Sequence, residues 1–282
     1  MTKQQSGVVT RGIGFELERL RKAARLNLQE VGEGLGVSAS TISRLENGKR
    51  EPTPEEVASI LTIVGVVGAE RARLLDQARG GSGLGLVEVS TPTIQSRTYL
   101  NFETRATTIT DVEPLLIPGL VQSPDYARAV ITATLVSEDD ADIEARVARR
   151  LARQVILTRK NPPQLNLIIT EAALRLPLGG AKTMARQVRH LMELAERSNV
   201  SLHVLPASIV GHPALDGSFV LLDFGDDPSV VFIEDRTTGL FLDDKRKVNV
   251  YRLTVEKLTD AALDTKGSIQ LMNSIARDLD RE

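Results

Sequence analysis

The N-terminal part of the chain alternates apolar and polar positions with the period of an α-helix. Over residues 14–25 the apolar side chains recur every three or four positions, with charged side chains between them: Phe15, Leu17, Leu20 and Ala24. Four residues of the kind that cap or precede helices then follow at short intervals, and each marks the start of another predicted helix: Asn27, Ser38, Thr53 and Gly68. The pattern therefore predicts an all-α unit of five helices over residues 1–79.

The pattern changes after residue 79. Residues 80–96 contain the stretch GGSGLG and predict a linker that leads into an extended segment. Beyond it, short apolar runs predict strands over 164–170, 200–206, 218–224, 229–235 and 239–244. Helical periodicity predicts helices over 97–110, 124–135, 139–160, 180–198, 245–263 and 266–280. Because the last four strands follow one another without long helices between them, we expect residues 97–282 to form an α+β domain with a mostly antiparallel sheet.

Composition limits the class of protein. The chain has 282 residues, more than one hydrophobic core usually organises, which agrees with two domains. It contains no cysteine, so disulfides and thiolate metal sites are excluded. The N-terminal sequence MTKQQSGVVTRG lacks the apolar core of a signal peptide, and no run approaches the roughly 18 apolar residues that a membrane helix needs. We therefore expect a soluble cytoplasmic protein that contacts no membrane.

The formal net charge of −2 is unevenly distributed. Residues 1–80 carry 12 Lys and Arg against 10 Asp and Glu, whereas the remainder carries 23 against 27. The slight positive excess thus lies in the helical unit, where attraction to phosphates would be needed for nucleic-acid binding. The excess is too small to identify a DNA-binding protein by itself.

The stretch from Leu26 to Pro52 has the spacing of a helix-turn-helix. Two short helices joined through Gly36 form an angled pair, and the second helix can enter the DNA major groove, which admits one α-helix. Ile42 and Leu45 give the second helix a buried face, and the opposite face is polar. The candidate DNA-contacting residues are Gln29, Ser38, Ala39, Ser40, Thr41, Ser43, Arg44, Asn47, Lys49 and Arg50.

These candidates differ in the contact that each can make. Arg44 can bind guanine bidentately, and Ser40 and Thr41 can contact base edges or phosphates. Lys49 and Arg50, just beyond the helix, suit phosphate binding. The alternative is a helical bundle used only for protein contacts, in which Arg44 is a solvent-facing side chain paired with a nearby glutamate.

The LGVS turn, the STISRLENG helix and the basic exit that leads to Pro52 resemble the Cro/CI-type (XRE) helix-turn-helix family over about residues 14–65. The resemblance implies a lambda-repressor-like fold of five helices that binds double-stranded operator DNA. It also implies that the first positions of the recognition helix and one late polar position contact bases, and these are Ala39, Ser40 and Arg44, with Thr41 and Ser43 nearby.

Two positions of this stretch need a separate interpretation. The family often has a phosphate-contacting Gln at the first position of the preceding helix, where this chain has Leu28. We expect Gln29 to take over that contact from the next position. Glu46 is interpreted as a structural residue that accepts hydrogen bonds inside the domain.

The C-terminal part offers little recognisable chemistry. Three histidines, His190, His203 and His212, lack the spacing of metal ligands, so structural roles are favoured. The segment GHPALDGS brings His212, Asp216 and Ser218 close in sequence, but such triads assemble in space, and a turn before a strand is the favoured interpretation. The run EARVARRLARQ places four arginines on one helix surface, for which a solvated or salt-bridged face is favoured over a second nucleic-acid patch.

Four segments of the C-terminal part are similar to a recurrent domain of actinobacterial WhiJ-like regulators, also described as Scr-type and antitoxin-related. They are PLLIPGLVQSPDYARAVI, RVARRLARQVILTRKNPPQLNLIITEAALRLPLGG, VSLHVLPASIVGHPALDGSFVLLDF and VVFIEDRTTGLFLDD. The similarity spans about residues 97–278. It implies a regulator of development or antibiotic production that is encoded beside a small partner protein.

We therefore expect a sequence-specific, DNA-binding transcriptional regulator that is associated with the nucleoid and forms a homodimer, because one small helix-turn-helix covers only a half-site. We expect it to use no cofactor or metal and to catalyse no reaction, with the C-terminal domain sensing the small partner protein. The alternatives are an antitoxin-like component of a toxin–antitoxin-type pair, a repressor that responds to a small molecule and, least favoured, a hydrolase tethered to DNA.

Overall fold

A computed structural model of the chain describes residues 7–79, 86–89, 92–135, 143–236 and 238–281. The chain divides into two compact units, the first formed by Met1–Phe102 with Pro228–Val248 and the second by Glu103–Asp227 with Asn249–Glu282. The predicted linker 80–96 lies partly outside the described residues, and the domain boundaries predicted from the sequence stay a prediction.

The first unit contains the predicted all-α bundle. Its five helices are α1 (Gly7–Ala23), α2 (Leu28–Leu35), α3 (Ala39–Glu46), α4 (Pro54–Ile63) and α5 (Gly68–Ala78). Their common core consists of aliphatic side chains that are almost completely buried, among them Ile13, Leu17, Val31, Ile42, Leu45, Val57, Ile60, Leu61 and Leu74. The five-helix fold that the sequence predicts is therefore confirmed.

The first unit also includes strands that are distant in sequence from the bundle. They are β1 (Leu86–Val89), β6 (Val230–Glu234) and β7 (Gly239–Leu242), and β7 pairs antiparallel with both of the others. The helix α6 (Pro92–Arg105) begins in the first unit. Its Phe102 packs against Phe241 of β7 with ring centroids 5.6 Å apart and tilted planes, and it meets Phe15 of α1 edge-on at 5.2 Å. Helix α1 is therefore packed against α6.

The second unit is α+β, as predicted. Its strands are β2 (Thr108–Glu113), β3 (Gln164–Thr170), β4 (Val200–Leu205) and β5 (Phe219–Asp223), in the order β5-β2-β3-β4. Its helices are α7 (Pro124–Thr134), α8 (Ile143–Arg153), α9 (Glu171–Arg175), α10 (Ala181–Ala195) and α12 (Thr265–Leu279), and α11 (Lys245–Ala261) enters it from the first unit.

The sheet of the second unit is mixed. Strand β2 pairs antiparallel with β5, as the sequence predicts for most of the sheet, whereas β2, β3 and β4 run parallel to one another. Strand β3 is central and is buried on both faces after its first residues, as parallel strands usually are. Helices α10 and α12 pack against each other, and α12 also packs against β4.

Two predicted helices end earlier than expected. The prediction over 97–110 is wrong after Arg105, where the chain turns into β2. Within the predicted helix over 139–160, α8 ends at Arg153 and a short 3₁₀ helix, Gln154–Leu157, follows it. Residues 139–142 of that prediction lie outside the described ones. Among the described helices, none combines the length and the apolar character that a membrane span needs.

Candidate DNA-binding surface

The turn between α2 and α3 is formed by residues whose backbone conformations stop one helix and start the next. Gly36 has φ 73° and ψ 28°, the left-handed conformation that glycine adopts without strain, and it ends α2. Ser38 then begins α3, and its side chain accepts a hydrogen bond from Thr41 N at 3.2 Å. The tight connection predicted from the sequence is confirmed.

Helix α2 is capped at its N-terminus in the predicted way. Asn27 Oδ1 accepts from the backbone N–H groups of Gln29 and Glu30, and a Glu30 carboxylate oxygen accepts from Asn27 N at 2.6 Å. Gln29 is exposed, and its side chain donates to Glu33 at 2.9 Å. A phosphate contact by Gln29 would have to replace that hydrogen bond.

A buried ion pair fixes α3 against α1. The inner face of α3 consists of Ile42, Leu45 and Glu46, all buried. Arg21 of α1 donates from two nitrogens to the two oxygens of Glu46, each at 2.7 Å, and also to the carbonyl oxygen of Leu26 at 2.9 Å. The hydrogen bond to Glu46 raises the pKa of Arg21. The structural role predicted for Glu46 is confirmed.

Gly14 allows α1 to approach the end of α3 closely. A Cβ atom at this position would lie 2.4 Å from the carbonyl oxygen of Leu45 and 2.7 Å from that of Glu46. Any side chain would therefore force the two helices apart. The position of α3 thus depends on Gly14 as well as on the Arg21–Glu46 pair.

The outer face of α3 is polar and accessible. Ser40, Arg44 and Asn47 are exposed, and three more of the predicted contact residues are partly exposed: Ala39, Thr41 and Ser43. Within the part of the chain that the structure describes, the Arg44 guanidinium has no hydrogen-bond or ion-pair partner. The alternative in which Arg44 pairs with a nearby glutamate is therefore not observed.

Several predicted contact residues also have a structural task. The side chain of Asn47 donates to the carbonyl oxygen of Ser43 at 2.8 Å and so folds back onto the end of α3. The Ser38 hydroxyl lies 2.9 Å from that of Ser40 and 3.0 Å from that of Thr41. These groups remain accessible, but in the unbound protein they belong to the capping of α3.

The two basic residues that follow α3 differ in how accessible they are to DNA phosphates. Lys49 is exposed, whereas Arg50 is half-buried and pairs with Glu56 at 2.7 Å. Burial of Glu56 acts to raise its pKa, but the hydrogen bonds from Arg50 and from Thr53 N outweigh it, so the pKa lies below its ordinary value. Binding of phosphate by Arg50 would therefore compete with Glu56.

An anchor of the bundle that sequence reasoning missed lies at the start of α1. Asp243, just after β7, accepts a hydrogen bond from Val8 N at 2.7 Å and so caps α1 from 235 residues away. The Arg11 guanidinium carbon lies 4.8 Å from the centre of the Phe102 ring. A helix cap supplied by a distant loop leaves no local signal in the sequence, because the usual pattern requires a polar residue directly before the helix.

In the second unit the three histidines lie apart. His203 bonds with the Ser201 hydroxyl and the carbonyl oxygen of Leu263, and His190 lies near Glu193 of its own helix. Among the described residues no hydrogen bond joins His212 to Asp216 or Ser218, and no group of three or more His, Asp or Glu is placed to hold a metal. The Pro213–Asp216 segment forms a 3₁₀ turn before β5, as the favoured interpretation expects.

The arginines of α8 turn partly inward. Arg153 binds both carboxylate oxygens of Glu103, at 2.6 and 3.0 Å, and Arg150 donates to the buried Gln122 at 2.8 Å. Two of the four arginines of the run EARVARRLARQ thus bind groups of the second unit. The favoured interpretation of this run as a salt-bridged face is supported.

A second carboxyl group lies near the Arg153–Glu103 pair. Asp111, in the centre of β2, is 6% exposed, and its Oδ1 has no hydrogen-bond partner among the described residues. Burial raises the pKa of Asp111 to about 7; Arg153 lowers it and Glu103 raises it further. At neutral pH this carboxyl is therefore partly protonated.

Comparison with known families finds two matches along the chain. A model described as a helix-turn-helix domain matches residues 13–74, which contain α2, α3 and the buried Arg21–Glu46 pair. A model described as a domain of unknown function (DUF5753) matches residues 96–274. No curated protein and no solved structure matches the chain. Since the second match covers more than half of the residues, the chain belongs to the DUF5753 family and carries a helix-turn-helix domain in front of that domain.

Proposed function

We propose that the protein is a sequence-specific transcriptional regulator of the XRE type, with α3 as its DNA recognition helix. The observation that carries the proposal is the outer face of α3, which is polar and exposed and presents the unpaired Arg44 guanidinium. The Arg21–Glu46 pair and the close contact at Gly14 hold the opposite face in place. A recognition helix needs this combination, because base contacts require side chains whose positions are fixed.

We further propose that two copies bind the two halves of an operator. One recognition helix reaches only a few base pairs, and half-sites about one helical turn apart are the usual arrangement for such domains. On the WhiJ-like resemblance, the DUF5753 part is proposed to bind a small partner protein that controls the regulator, in development or secondary metabolism. Neither unit is proposed to catalyse a reaction.

Selection of binding sequences from a random DNA pool tests the first proposal. The full chain should enrich one short motif, repeated with two-fold symmetry. Arg44→Ala should then lower the affinity for the selected site by about 1–3 kcal/mol and relax the preference at one base pair per half-site. The reason is that Arg44 is the exposed long donor on α3 and can bind guanine with two hydrogen bonds.

Lys49→Ala serves as the matched control, since it also removes one positive charge from an exposed side chain of the same region. It should weaken binding to all sequences alike and reduce the slope of log affinity against log salt by about one. An Arg44→Ala variant that keeps both the affinity and the base preference of the wild type would refute the assignment of α3. Failure to enrich any motif would refute sequence-specific binding.

The partner proposal is tested separately by titration calorimetry between the full chain and the product of the neighbouring gene. We expect binding and a change in operator affinity. No heat, together with unchanged DNA binding, would refute the partner role and leave the DNA-binding proposal intact.

A further inference from the structure

Helix α11 is a long helix with a largely uncovered outer face. It has 17 residues, and its inner side is held by the buried Leu258 and by Tyr251, which meets Phe219 of β5 edge-on at 4.8 Å. Arg252, between these positions, pairs with Asp223 of the same strand. These contacts fix which side of α11 faces the protein.

The opposite side of α11 carries apolar residues that remain accessible. Val250 is 60% exposed and Leu253 is 55% exposed, although aliphatic side chains of this size are mostly buried. At 100° per residue they lie on one stripe with the exposed Arg246, Lys257 and Asp260. We call these five residues the α11 outer stripe. The centre of the stripe lies about 120–140° around the helix from Leu258 and Tyr251.

The charges of α11 are arranged against its own dipole. The exposed residues of its first turn are basic, Lys245, Arg246 and Lys247, and the first turn contains no acidic residue. Glu256 and Asp260 lie exposed in the second half, and the last turn contains no basic residue. A helix dipole favours the reverse distribution, so the charges within α11 do not stabilise it, and the acidic group at its positive end is Asp244, which precedes the helix and accepts from Arg246 N and Lys247 N.

The same arrangement is favourable against an antiparallel copy of α11. If Leu253 lies on a two-fold axis, Leu253 faces its counterpart, and Arg246 of each copy lies opposite Asp260 of the other. Val250 then packs beside the counterparts of Glu256 and Lys257, whose methylene groups can cover it. A two-fold interface requires this kind of self-complementarity, because each contact occurs twice.

We infer that the α11 outer stripe is the surface through which two copies of this chain associate, with the two α11 helices antiparallel. The inference rests on the proposed function only in that it names the surface of the proposed dimer. The apolar centre is small, so the association is expected to be reversible at micromolar concentration.

Analytical ultracentrifugation of the full chain tests the surface. The wild type should be dimeric in the micromolar range, and Leu253→Asp should raise the dimer dissociation constant by about tenfold or more, because two carboxylates would meet at the axis. Leu253 is exposed, so this change should leave the circular dichroism and thermal unfolding of the chain unaltered.

A charge exchange tests the orientation. Arg246→Asp and Asp260→Arg should each raise the dissociation constant by about tenfold, since symmetry places two like-charge pairs in the interface. The double variant should return to within about threefold of the wild type, because both pairs are restored with reversed sign. Lys247→Asp is the matched control: it makes the same charge change one residue away but about 100° around the helix, and it should have little effect.

Three results would overturn the inference. The first is a wild type that is monomeric at all concentrations, in which case the α11 outer stripe would be a binding surface for a different protein. The others are a dimer that Leu253→Asp does not weaken, and single charge variants whose loss of association the double variant does not rescue. Operator half-site binding by Leu253→Asp is measured alongside. If that binding persists while the dimer is unaffected, the surface is wrong and the DNA-binding proposal stands.

Discussion

Replacing Asp111 by asparagine tests how the second unit accommodates a buried carboxyl group. Asp111 lies in β2 opposite Leu167 of β3 and Val220 of β5, and the charged groups that act on it are Arg153 and Glu103. The positive charge of Arg153 lowers the pKa of Asp111, but the negative charge of Glu103, whose two oxygens Arg153 binds, opposes that effect. Burial therefore dominates and raises the pKa of Asp111 from 3.8 to about 7.

The raised pKa of Asp111 determines whether the free energy of unfolding rises or falls with pH. The folded protein holds the Asp111 proton more tightly than the unfolded chain, so the contribution of this group to the free energy of unfolding is complete below pH 3.8 and is lost as the pH rises through about 7. A shift of this size corresponds to on the order of 4 kcal/mol. About 2–3 kcal/mol of it should be lost between pH 5 and pH 8.

Asparagine has nearly the same shape as aspartate and never ionises. The free energy of unfolding of Asp111→Asn, minus that of the wild type, should therefore rise by about 2–3 kcal/mol from pH 5 to pH 8. The difference cancels groups common to both proteins, including His190, whose pKa burial lowers and whose titration has the opposite sign. Urea unfolding followed by circular dichroism, with hydrogen exchange of the β2 amides as a probe of the second unit, gives this difference.

Asp226→Asn is the matched control, because Asp226 is exposed in the segment after β5 and undergoes the same chemical change. Because Asp226 is exposed, its difference from the wild type should change much less between pH 5 and pH 8 than that of Asp111→Asn. The reasoning about Asp111 would be refuted by a difference that is equally flat over this range, since a carboxyl already ionised at pH 5 cannot have a raised pKa.

Three further substitutions test the framework around these sites by thermal or urea unfolding. Glu46→Gln should cost about 3 kcal/mol, because it removes the carboxylate that balances the buried charge of Arg21, and a stability unchanged within error would contradict the buried pair. Gly14→Ala should cost about 1–3 kcal/mol and weaken operator binding, because its Cβ would overlap carbonyl oxygens at the end of α3, whereas Ser59→Ala on α4 should change little. Gln187→Leu should cost about 2–4 kcal/mol because the buried Gln187 side chain binds two backbone groups, Ser123 N and the Val121 carbonyl oxygen.

Local signals were sufficient to predict the helix-turn-helix. Asn27 and Ser38 cap their helices with side chains that bind amides two or three residues away, and Gly36 adopts the left-handed conformation at the expected place. Each of these interactions is complete within four residues, so a short sequence contains all of its determinants. Base contact by Arg44 stays a prediction, since it requires the DNA.

Strand β2 shows why other elements could not be predicted. Its sequence TITDVE contains Thr110 and Asp111, polar residues that argue against a buried strand, yet four of its six residues are buried. The neighbouring strands β3 and β5, which lie far away in sequence, supply its hydrogen bonds. The partnership of Arg21 with Glu46 also spans 25 residues, so the sequence suggested a structural Glu46 without identifying the arginine.

Helix α1 performs two tasks that link the recognition helix to the rest of the first unit. Its N-terminus is capped by Asp243, and Phe15 packs against Phe102 of α6. On the same helix, Gly14 and Arg21 contact the C-terminal end of α3 and hold it in place. An α-helix of 17 residues is a stiff rod about 25 Å long, so its two ends cannot move independently. A displacement of the segment after β7 that broke the Asp243 cap would therefore also act on the helix that holds α3.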